Sequence, residues 1–453
     1  MRRAVFAWVV ALAALGCDRD GVQLRFVIQT PYERYRARLR ELELDLTALG
    51  RDWIAAGKAS LTAARSIELP YRETRYLDPR SAAAQAYRLK LERGQRLAVR
   101  LEMPDSSPLQ VQIFLDLFWL ADSASEPQLV ASAEAGSWEL EYVAMRPGTY
   151  LLRVQPELLR GGRVTVTLRA HASLAFPVHG RDIDAIRSVF GAPRDGGRRT
   201  HHGIDIFAPR GTPVIAAAEG RISRVTTNRL GGNVIWLREA RYGRRLYYAH
   251  LDRHAVAPDT WVKPGDTIGF VGNTGNARTT PPHLHFGIYL RGEGPVDPFY
   301  HVFEPRQRPP EFAGDPSLIG SWARVSRRET SLRAFPAATG APLERLQRST
   351  AFQVLAGTGR WYLARLPDGR EGYLPAADAE PLKPLGRVQI AQAAALRTVP
   401  GPMGEPIATL PRGQVVTILG RYGSFALVLN EDHTRGWVDH SNLAAVAALS
   451  EVD

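Results

Sequence analysis

Two stretches, HHGIDIFAPRGTPVIAAAEGRI (residues 201–222) and PHLHFGI (282–288), decide the fold and the chemistry of this chain of 453 residues. In the second stretch, His283 and His285 alternate with apolar residues, as in a strand with one buried face. Side chains two residues apart in a strand point to the same face, so the two imidazoles should project together into one groove. The pattern predicts part of a metal site on a β-sheet.

The first stretch supplies further groups that can bind a metal. His201 and Asp205 are four residues apart with Gly203 between them, so this segment can bend and direct both side chains inward. Two histidines and one carboxylate form a catalytic zinc set that leaves a coordination position open for water. Another histidine, His250 in YYAHL (247–251), would reach the groove from a different strand. No cysteine lies nearby, which argues against a structural zinc finger.

In this combination the region resembles the lysostaphin/LytM-type zinc metallopeptidases of bacterial cell walls. The matching text also includes GGNVIWL (231–237) and VKPGDTIGFVGNTG (262–275). The resemblance implies an antiparallel β domain over residues 173–303, whose groove binds one zinc ion per chain and hydrolyses peptide bonds of peptidoglycan, in particular stem-peptide crosslinks. The chain departs from the family at Pro281, where the family usually has Gly, and at Gly287, where it often has Glu.

The resemblance also assigns five residues, position by position. His201, Asp205 and His285 match the zinc ligands, and His250 and His283 match the two catalytic histidines. A bound zinc ion lowers the pKa of its water from about 15.7 towards 7. We therefore expect His283 to transfer protons with this water and His250 to stabilise the oxyanion, although the two roles could be exchanged.

Two other functions fit parts of the sequence. Some relatives of these peptidases have degenerate sites and activate cell-wall amidases through the empty groove, but all five positions are filled here. The VKPGD stretch also resembles biotinyl and lipoyl carrier hairpins, which need an exposed lysine at the hairpin tip. Lys263 precedes the Pro-Gly turn and does not occupy such a tip. The sequence favours an enzyme over a silent scaffold or a carrier.

The composition is that of a basic globular protein. The chain has 58 Lys and Arg against 46 Asp and Glu, a net charge of +12, and these charges are spread along its length. This excess indicates either attraction to a polyanion, such as the carboxylates of a cell envelope, or an arginine-rich composition without functional meaning. No nucleic-acid-binding motif appears, so nucleic acid is not an expected partner. No apolar run reaches the roughly 18–20 residues of a membrane-spanning helix.

The beginning of the sequence predicts export. A basic start at residues 1–3 precedes an apolar run at 4–16, and the run stops at Cys17. Because Cys17 is the only cysteine, an intrachain disulfide is excluded. Residues 1–17 resemble a bacterial lipoprotein signal peptide, which implies a mature chain lipidated at Cys17, anchored to a membrane and facing the periplasm. The sequence leaves open whether the inner or the outer membrane holds the anchor. An ordinary signal peptide is the alternative.

The remaining patterns predict a mainly β, multidomain protein. Helical spacing of apolar residues over 32–49, followed by a second helix over 53–61, predicts a helical segment at 18–70. Alternating stretches predict a β-sandwich of the jelly-roll kind at 71–172. A stretch rich in Pro and Arg predicts a linker at 304–320.

An internal repeat fills the C-terminal part of the chain. Residue n matches residue n+64 without a gap, and the matches include Leu363/Leu427, Gly372/Gly436 and Tyr373/Trp437. Each unit resembles a bacterial SH3-type barrel, which predicts two such domains at 321–384 and 385–446. Domains of this type often tether enzymes to peptidoglycan. The alternative is that Trp361, Tyr373 and Trp437 are core or scaffold aromatics.

Overall fold

The computed structural model describes residues 29–103, 111–122 and 125–445. Strands dominate and helices are few, so the predicted mainly β class is confirmed. The signal-peptide region 1–17, with the lipidation site Cys17, lies outside the described residues. None of the helices in the described ranges combines the length and the apolar character that a bilayer crossing requires.

Two helices begin the described chain, α1 (Pro31–Glu41) and α2 (Ala48–Thr62). The Thr30 hydroxyl accepts a hydrogen bond from the backbone N–H of Glu33, while the Glu33 carboxylate accepts one from the backbone N–H of Thr30. This reciprocal capping box satisfies two amide donors at the helix start. The prediction of a helix starting here is therefore confirmed.

The expectation of one continuous helix over 32–49 is wrong, because the chain turns between the two helices. Glu43 adopts a left-handed conformation with φ 56°, which ends the first helix. Gly50 lies so close to Leu44 that a Cβ atom on it would be 1.9 Å from the Leu44 carbonyl oxygen. Only glycine permits this approach, and the result is a helical hairpin.

The helical hairpin packs on a β-sandwich. Tyr32 and Trp53 stack with ring centroids 5.1 Å apart and enclose Phe114 of the sandwich. One sheet has the strand order β1-β3-β8-β5-β6, and the opposite sheet contains β2-β9-β4-β7, with a shared apolar core between them. The strands are β1 (Arg65–Ser66), β2 (Tyr71–Leu77), β3 (Gln85–Leu91), β4 (Gln95–Glu102), β5 (Ile113–Leu120), β6 (Gln128–Ser132), β7 (Glu139–Val143), β8 (Gly148–Pro156) and β9 (Gly162–Ala172).

The next part of the chain forms a separate antiparallel sheet with its own apolar core. Its elements are β10 (Ile186–Ser188), β11 (Pro193–Arg194), β12 (Arg199–Thr200), β13 (Ile204–Phe207), β14 (Pro213–Ile215), β15 (Gly220–Asn228), β16 (Gly232–Glu239), β17 (Arg245–His254), β18 (Trp261–Val262), β19 (Thr267–Val271), β20 (His283–Leu290), β21 (Gly294–Val296) and α3 (Phe299–Val302). The main path is β10-β13-β20-β17-β16-β15-β18, and β11 pairs with β12 outside it. The order places β13, β20 and β17 side by side.

Two similar units follow. The first contains β22 (Trp322–Val325), β23 (Glu329–Arg333), β24 (Pro342–Gln347), β25 (Ala351–Thr358), β26 (Trp361–Arg365), β27 (Glu371–Pro375) and β28 (Ala379–Pro381). The second contains β29 (Gly386–Ile390), β30 (Ala394–Arg397), β31 (Pro406–Leu410), β32 (Val415–Tyr422), β33 (Phe425–Leu429), β34 (Arg435–Asp439) and β35 (Leu443–Ala445). The last four strands of the two units coincide at the 64-residue offset, so the predicted repeat is a structural repeat.

Each repeat docks on another module through equivalent residues. In the first unit, Ala356 and Gly357 of β25 pair with β2 of the sandwich, so the two sheets are continuous. The equivalent positions of the second unit are Gly420 and Arg421, and the backbone N–H of Arg421 donates to the Ser349 carbonyl of the first unit at 2.8 Å. The two repeats therefore use the same edge for docking, and the first of them contacts the sandwich, which does not directly precede it in the chain.

This docking covers the aromatic residue of each Gly-aromatic-aliphatic motif. Tyr373 is 4% exposed and Trp437 is 1% exposed. The Trp437 ring lies 6.0 Å from that of Trp322 in the first unit. Tyr373 and Trp437 are therefore core aromatics, as the alternative to a binding role predicts.

The segment predicted as a linker, 304–320, follows the protein surface in close contact with three modules. The Glu304 carboxylate accepts a hydrogen bond from the backbone N–H of Ala172 at 2.9 Å. Further along, the Phe312 ring packs 5.4 Å from that of Tyr362 in the first repeat. The segment carries little regular structure but is held at both ends.

Candidate metal centre and active-site groove

The strand pair β13–β20 positions the centre of the site. Asp205 and His285 lie directly opposite each other in the antiparallel register. Their neighbours Ile204, Ile206 and Phe286 are fully buried in the core. Alternation along both strands therefore directs the carboxylate and the imidazole to the opposite, groove-facing side.

Three ligand-type atoms from His201, Asp205 and His285 converge in the groove. The His201 Nε2 atom is 2.9 Å from Asp205 Oδ1 and 2.9 Å from His285 Nδ1, and His285 Nδ1 is 3.0 Å from Asp205 Oδ1. A tetrahedral site with bonds of about 2.0–2.1 Å has ligand atoms roughly 3.3 Å apart. The observed triangle is close to that size, and the three residues form the one group found among the described residues that could hold a metal ion.

The hydrogen bonding of His201 shows that this triangle suits a cation. The Nδ1 atom of His201 lies 2.8 Å from the Val189 carbonyl oxygen and donates its proton to it, because a carbonyl only accepts. In the neutral ring, Nε2 then carries a lone pair that faces the Asp205 carboxylate. Two lone pairs at 2.9 Å repel unless a cation or a proton lies between them, so the residues present fit a metal ion.

The charge states at neutral pH also suit metal binding. Burial alone would raise the pKa of Asp205, but the two imidazoles of His201 and His285 beside Oδ1 outweigh burial and hold the pKa well below its ordinary value. Burial lowers the pKa of His285. The carboxylate is therefore charged and the His285 ring neutral, which are the forms that bind a metal.

His250 and His283 lie beside the three converging residues. Their ring centroids are 5.1 Å apart, and both side chains are buried at the groove floor. His250 Nδ1 donates to the Thr274 carbonyl and His283 Nδ1 donates to the Pro281 carbonyl, each at 2.9 Å. In the neutral rings these bonds leave each Nε2 atom with a lone pair.

His250 has an unusual backbone conformation, and its side chain lines the groove. His250 has φ 62°, a left-handed conformation that residues other than glycine rarely adopt. The register between β16 and β17 shifts at this point, and the His250 N–H donates to the Gly231 carbonyl at 2.7 Å instead. Burial, followed by the nearby His283 and His285, lowers the pKa of His250 to about 4, so the ring is neutral at pH 7.

The groove extends beyond the metal-binding residues. It encloses roughly 1020 Å³, and one wall carries the aromatic side chains Trp236, Tyr247 and Tyr289. The Trp236 ring lies 4.5 Å from Tyr247 and 5.1 Å from Tyr289. An open groove with an aromatic wall suits an extended polymer chain better than an enclosed small molecule.

The structure brings together all five site residues predicted from the sequence and adds two that the sequence did not indicate. An Nη2 atom of Arg194 donates to Asp205 Oδ2 at 2.7 Å and to the Ser188 hydroxyl at 2.7 Å. Neither residue belongs to a recognisable motif, and only the pairing of β10 with β13 brings Ser188 opposite Asp205. No pattern in the sequence could have identified them.

Family models match two parts of the chain. Residues 199–298 match the model described as Peptidase family M23, and this range contains all five predicted site residues. Residues 392–444 match the model described as Bacterial SH3 domain, which falls within the second repeat.

Individual proteins are also similar to parts of this chain. The L-Ala--D-Glu endopeptidase of Bacillus subtilis is 40% identical over 28% of this chain and 42% of its own length. The DD-carboxypeptidase/endopeptidase Mpg of Neisseria meningitidis is 44% identical over 22% of each chain. A solved catalytic domain of lysostaphin from Staphylococcus simulans is 35% identical over 24% of this chain and 86% of that one, with a TM-score of 0.22.

The chain thus spans less than half the length of these two curated relatives. The converging histidines and carboxylate lie inside the matched range. The chain therefore carries a Peptidase family M23 domain of the lysostaphin/LytM type, followed by a bacterial SH3 domain.

Proposed function

We propose that the protein is a zinc-dependent endopeptidase that hydrolyses peptide bonds of peptidoglycan in the bacterial cell envelope. The observation that carries this proposal is the convergence of His201 Nε2, His285 Nδ1 and Asp205 Oδ1 within 3.0 Å of one another in an open groove. Two further histidines with available Nε2 atoms stand beside them. Two imidazoles and one carboxylate are the donor set of hydrolytic zinc sites.

His201, Asp205 and His285 would hold one zinc ion per chain. Zinc in such a site supplies Lewis acidity, which lowers the pKa of water and polarises the scissile carbonyl group. The protein's own contribution to this binding is a neutral His285, a charged Asp205 and a His201 ring fixed by the Val189 carbonyl. The site is thus arranged before a ligand arrives.

We assign proton transfer to His283. Its Nδ1–H is held by the Pro281 carbonyl, so the lone pair on Nε2 is available to accept a proton from the attacking water. The same ring, once protonated, can donate from Nε2 to the nitrogen of the leaving amine. Proton transfer of this kind contributes about 10²- to 10⁴-fold to a rate.

We assign stabilisation of the oxyanion to His250. With a pKa of about 4 the ring is neutral in the free protein. A negative charge that develops beside the ring raises its affinity for a proton. The ring then takes up one proton from the solvent in the open groove, and the protonated Nε2 donates a hydrogen bond to that charge. An interaction that strengthens only as the transition state forms accelerates the reaction, because it does not stabilise the bound substrate equally.

The proposed substrate is the stem peptide of peptidoglycan, including its crosslinks. Relatives named for L-Ala--D-Glu endopeptidase and DD-endopeptidase activity support a stem-peptide bond. The groove is open and has an aromatic wall of Trp236, Tyr247 and Tyr289, which suits an extended peptide. We further propose that the protein works in the envelope, where a lipid at Cys17 would anchor it to a membrane on the periplasmic side.

Digestion of purified sacculi tests the proposal. Wild-type protein should release soluble muropeptides, a chelator should abolish the release, and Zn²⁺ should restore it. Mass spectrometry of the products identifies the bond that is cleaved. The catalytically silent alternative predicts no release by the protein alone, together with stimulation of a cell-wall amidase that a chelator does not affect.

A further inference from the structure

The loop between β10 and β13 contacts two of the three proposed metal ligands, His201 and Asp205. Residues 193–200 form the β11–β12 hairpin, in which Arg194 pairs with Arg199. At its end, the His201 N–H donates to the Ala192 carbonyl at 2.8 Å, and the Gly191 N–H donates to the His201 carbonyl at 2.8 Å. The loop therefore fixes the backbone of His201 and carries Arg194 to the edge of the groove.

Arg194 contacts only one of the two carboxylate oxygens of Asp205. The guanidinium donates to Oδ2 at 2.7 Å, whereas Oδ1 faces His201 and His285 at 2.9 and 3.0 Å. A carboxylate can bind a metal through one oxygen or through both. Because the arginine occupies Oδ2, only Oδ1 is directed at the metal position.

Ser188 holds the arginine in this orientation. The Ser188 hydroxyl accepts from the same Nη2 atom of Arg194 at 2.7 Å, and it lies opposite Asp205 in the β10–β13 register. The hydroxyl oxygen is also 3.3 Å from His201 Nδ1. Ser188 thus contacts both Arg194, which holds Asp205, and the ring of His201 itself.

We propose that Arg194, anchored by Ser188, is a positioning residue that presents Asp205 to the metal through Oδ1 alone. This inference rests on the proposed function, since it requires that His201, Asp205 and His285 bind a metal. Groups that orient metal ligands through hydrogen bonds typically contribute about 10- to 100-fold to metal affinity. A cationic group near a metal also repels it, so an arginine that acted only through its charge would weaken binding, and its removal would tighten it.

Zinc affinity, measured by competition with a chromogenic chelator at one pH, separates these two effects. Arg194→Gln should weaken Zn²⁺ binding about 10- to 100-fold. Arg194→Lys should be intermediate, because it keeps the charge, but its flexible and strongly hydrated ammonium is less pre-organised than a guanidinium to hold Oδ2 of Asp205. Arg187→Gln is the matched control, because it removes an exposed arginine next to Ser188 and should leave the affinity unchanged.

A double-mutant cycle tests whether Ser188 acts through the arginine. Ser188→Ala should weaken Zn²⁺ binding, and the combined Ser188→Ala, Arg194→Gln protein should bind no more weakly than Arg194→Gln alone. Residues that act as one unit show such non-additivity. Melting curves recorded in chelator establish that each metal-free variant is folded, and the conservative Ser188→Ala and Arg194→Lys variants keep the test valid if Arg194→Gln does not fold.

Visible spectra of the Co²⁺-loaded proteins add a readout of coordination. In Arg194→Gln, Oδ2 of Asp205 is no longer held by the guanidinium, so both carboxylate oxygens should bind the Co²⁺ ion. The higher coordination number should weaken the d–d absorption of the Co²⁺-loaded variant relative to that of the wild type. Equal or tighter Zn²⁺ binding by a folded Arg194→Gln protein would overturn the positioning role and leave the proposed function intact. Failure of the wild type to bind Zn²⁺ would overturn both.

Discussion

Two buried carboxylates, Asp205 in the groove and Glu73 in the β-sandwich, have opposite environments. Glu73 is fully buried and receives four hydrogen bonds, from the cations of Arg65 and Arg75 and from the hydroxyls of Tyr71 and Tyr87, at 2.7–3.0 Å. Asp205 receives one bond from a cation at Oδ2, while its Oδ1 atom faces two imidazole nitrogens and the open groove.

The comparison distinguishes a structural carboxylate from a reactive one. Burial alone would raise the pKa of Glu73, but Arg65 and Arg75, together with the two tyrosine hydroxyls, lower it to about 2. Every oxygen lone pair of Glu73 has a proton donor within the protein, so the cluster is complete. Asp205 has a similarly lowered pKa but keeps one oxygen directed at a position that the protein itself does not fill.

Removal of the charge on Asp205 should have the largest effect on activity. Asp205→Asn deletes a proposed zinc ligand, so hydrolysis of sacculi should fall by at least about 10²-fold with a parallel loss of bound zinc. The melting temperature of the metal-free protein should change by only a few degrees. Asp259→Asn, at an exposed aspartate of the same domain, should retain wild-type zinc content and rate; equal zinc content in Asp205→Asn would contradict the prediction.

Removal of the charge on Glu73 should have the reverse result. Glu73→Gln leaves the half-buried Arg65 and Arg75 without their counter-charge, which should lower the free energy of unfolding by about 3 kcal/mol. Hydrolysis per folded molecule should remain that of the wild type. Chemical denaturation measures the first quantity and sacculus digestion the second. As a control, Glu371→Gln removes a surface ion pair with Arg365 and should cost about 1 kcal/mol or less.

Acid should weaken the Glu73 cluster over a defined pH range. The pKa of Glu73 is about 2 in the folded protein and near 4.5 in an ordinary environment, so its charged form is stabilised by folding. This contribution, roughly 3 kcal/mol, is fully present above pH 5 and is lost as the pH falls towards 2. Denaturation curves of wild type and Glu73→Gln should therefore converge in acid. Parallel curves from pH 6 to pH 3 would exclude this titration.

The order of modules was accessible from the sequence, but their docking was not. Periodicity of two predicts strands, and the 64-residue repeat predicts two equivalent units, because both signals are local or internal to the chain. The pairing of Thr74 with Gly357 joins segments that are distant in sequence, and no local pattern encodes it. For the same reason the burial of Tyr373 beneath this junction required the structure.

Some features of the site could likewise be predicted from the sequence, whereas others required the structure. His283 and His285 share a face because strand geometry requires it, and His201 and Asp205 are near neighbours along the chain. The conformation of His250 depends on the register shift between β16 and β17, which only the paired strands reveal. Arg194 likewise reaches Asp205 only because the hairpin of 193–200 folds back over the groove.

The most direct test of the account uses His250→Ala, because His250 belongs to the proposed chemistry but not to the proposed metal ligands. The variant should remain folded and bind zinc like the wild type. Its release of soluble muropeptides from purified sacculi should fall by about 10²- to 10⁴-fold, the usual effect of losing a positioned donor or acid/base group. Zinc content is determined on the same samples. A zinc-loaded His250→Ala protein that hydrolyses sacculi at the wild-type rate would contradict the account.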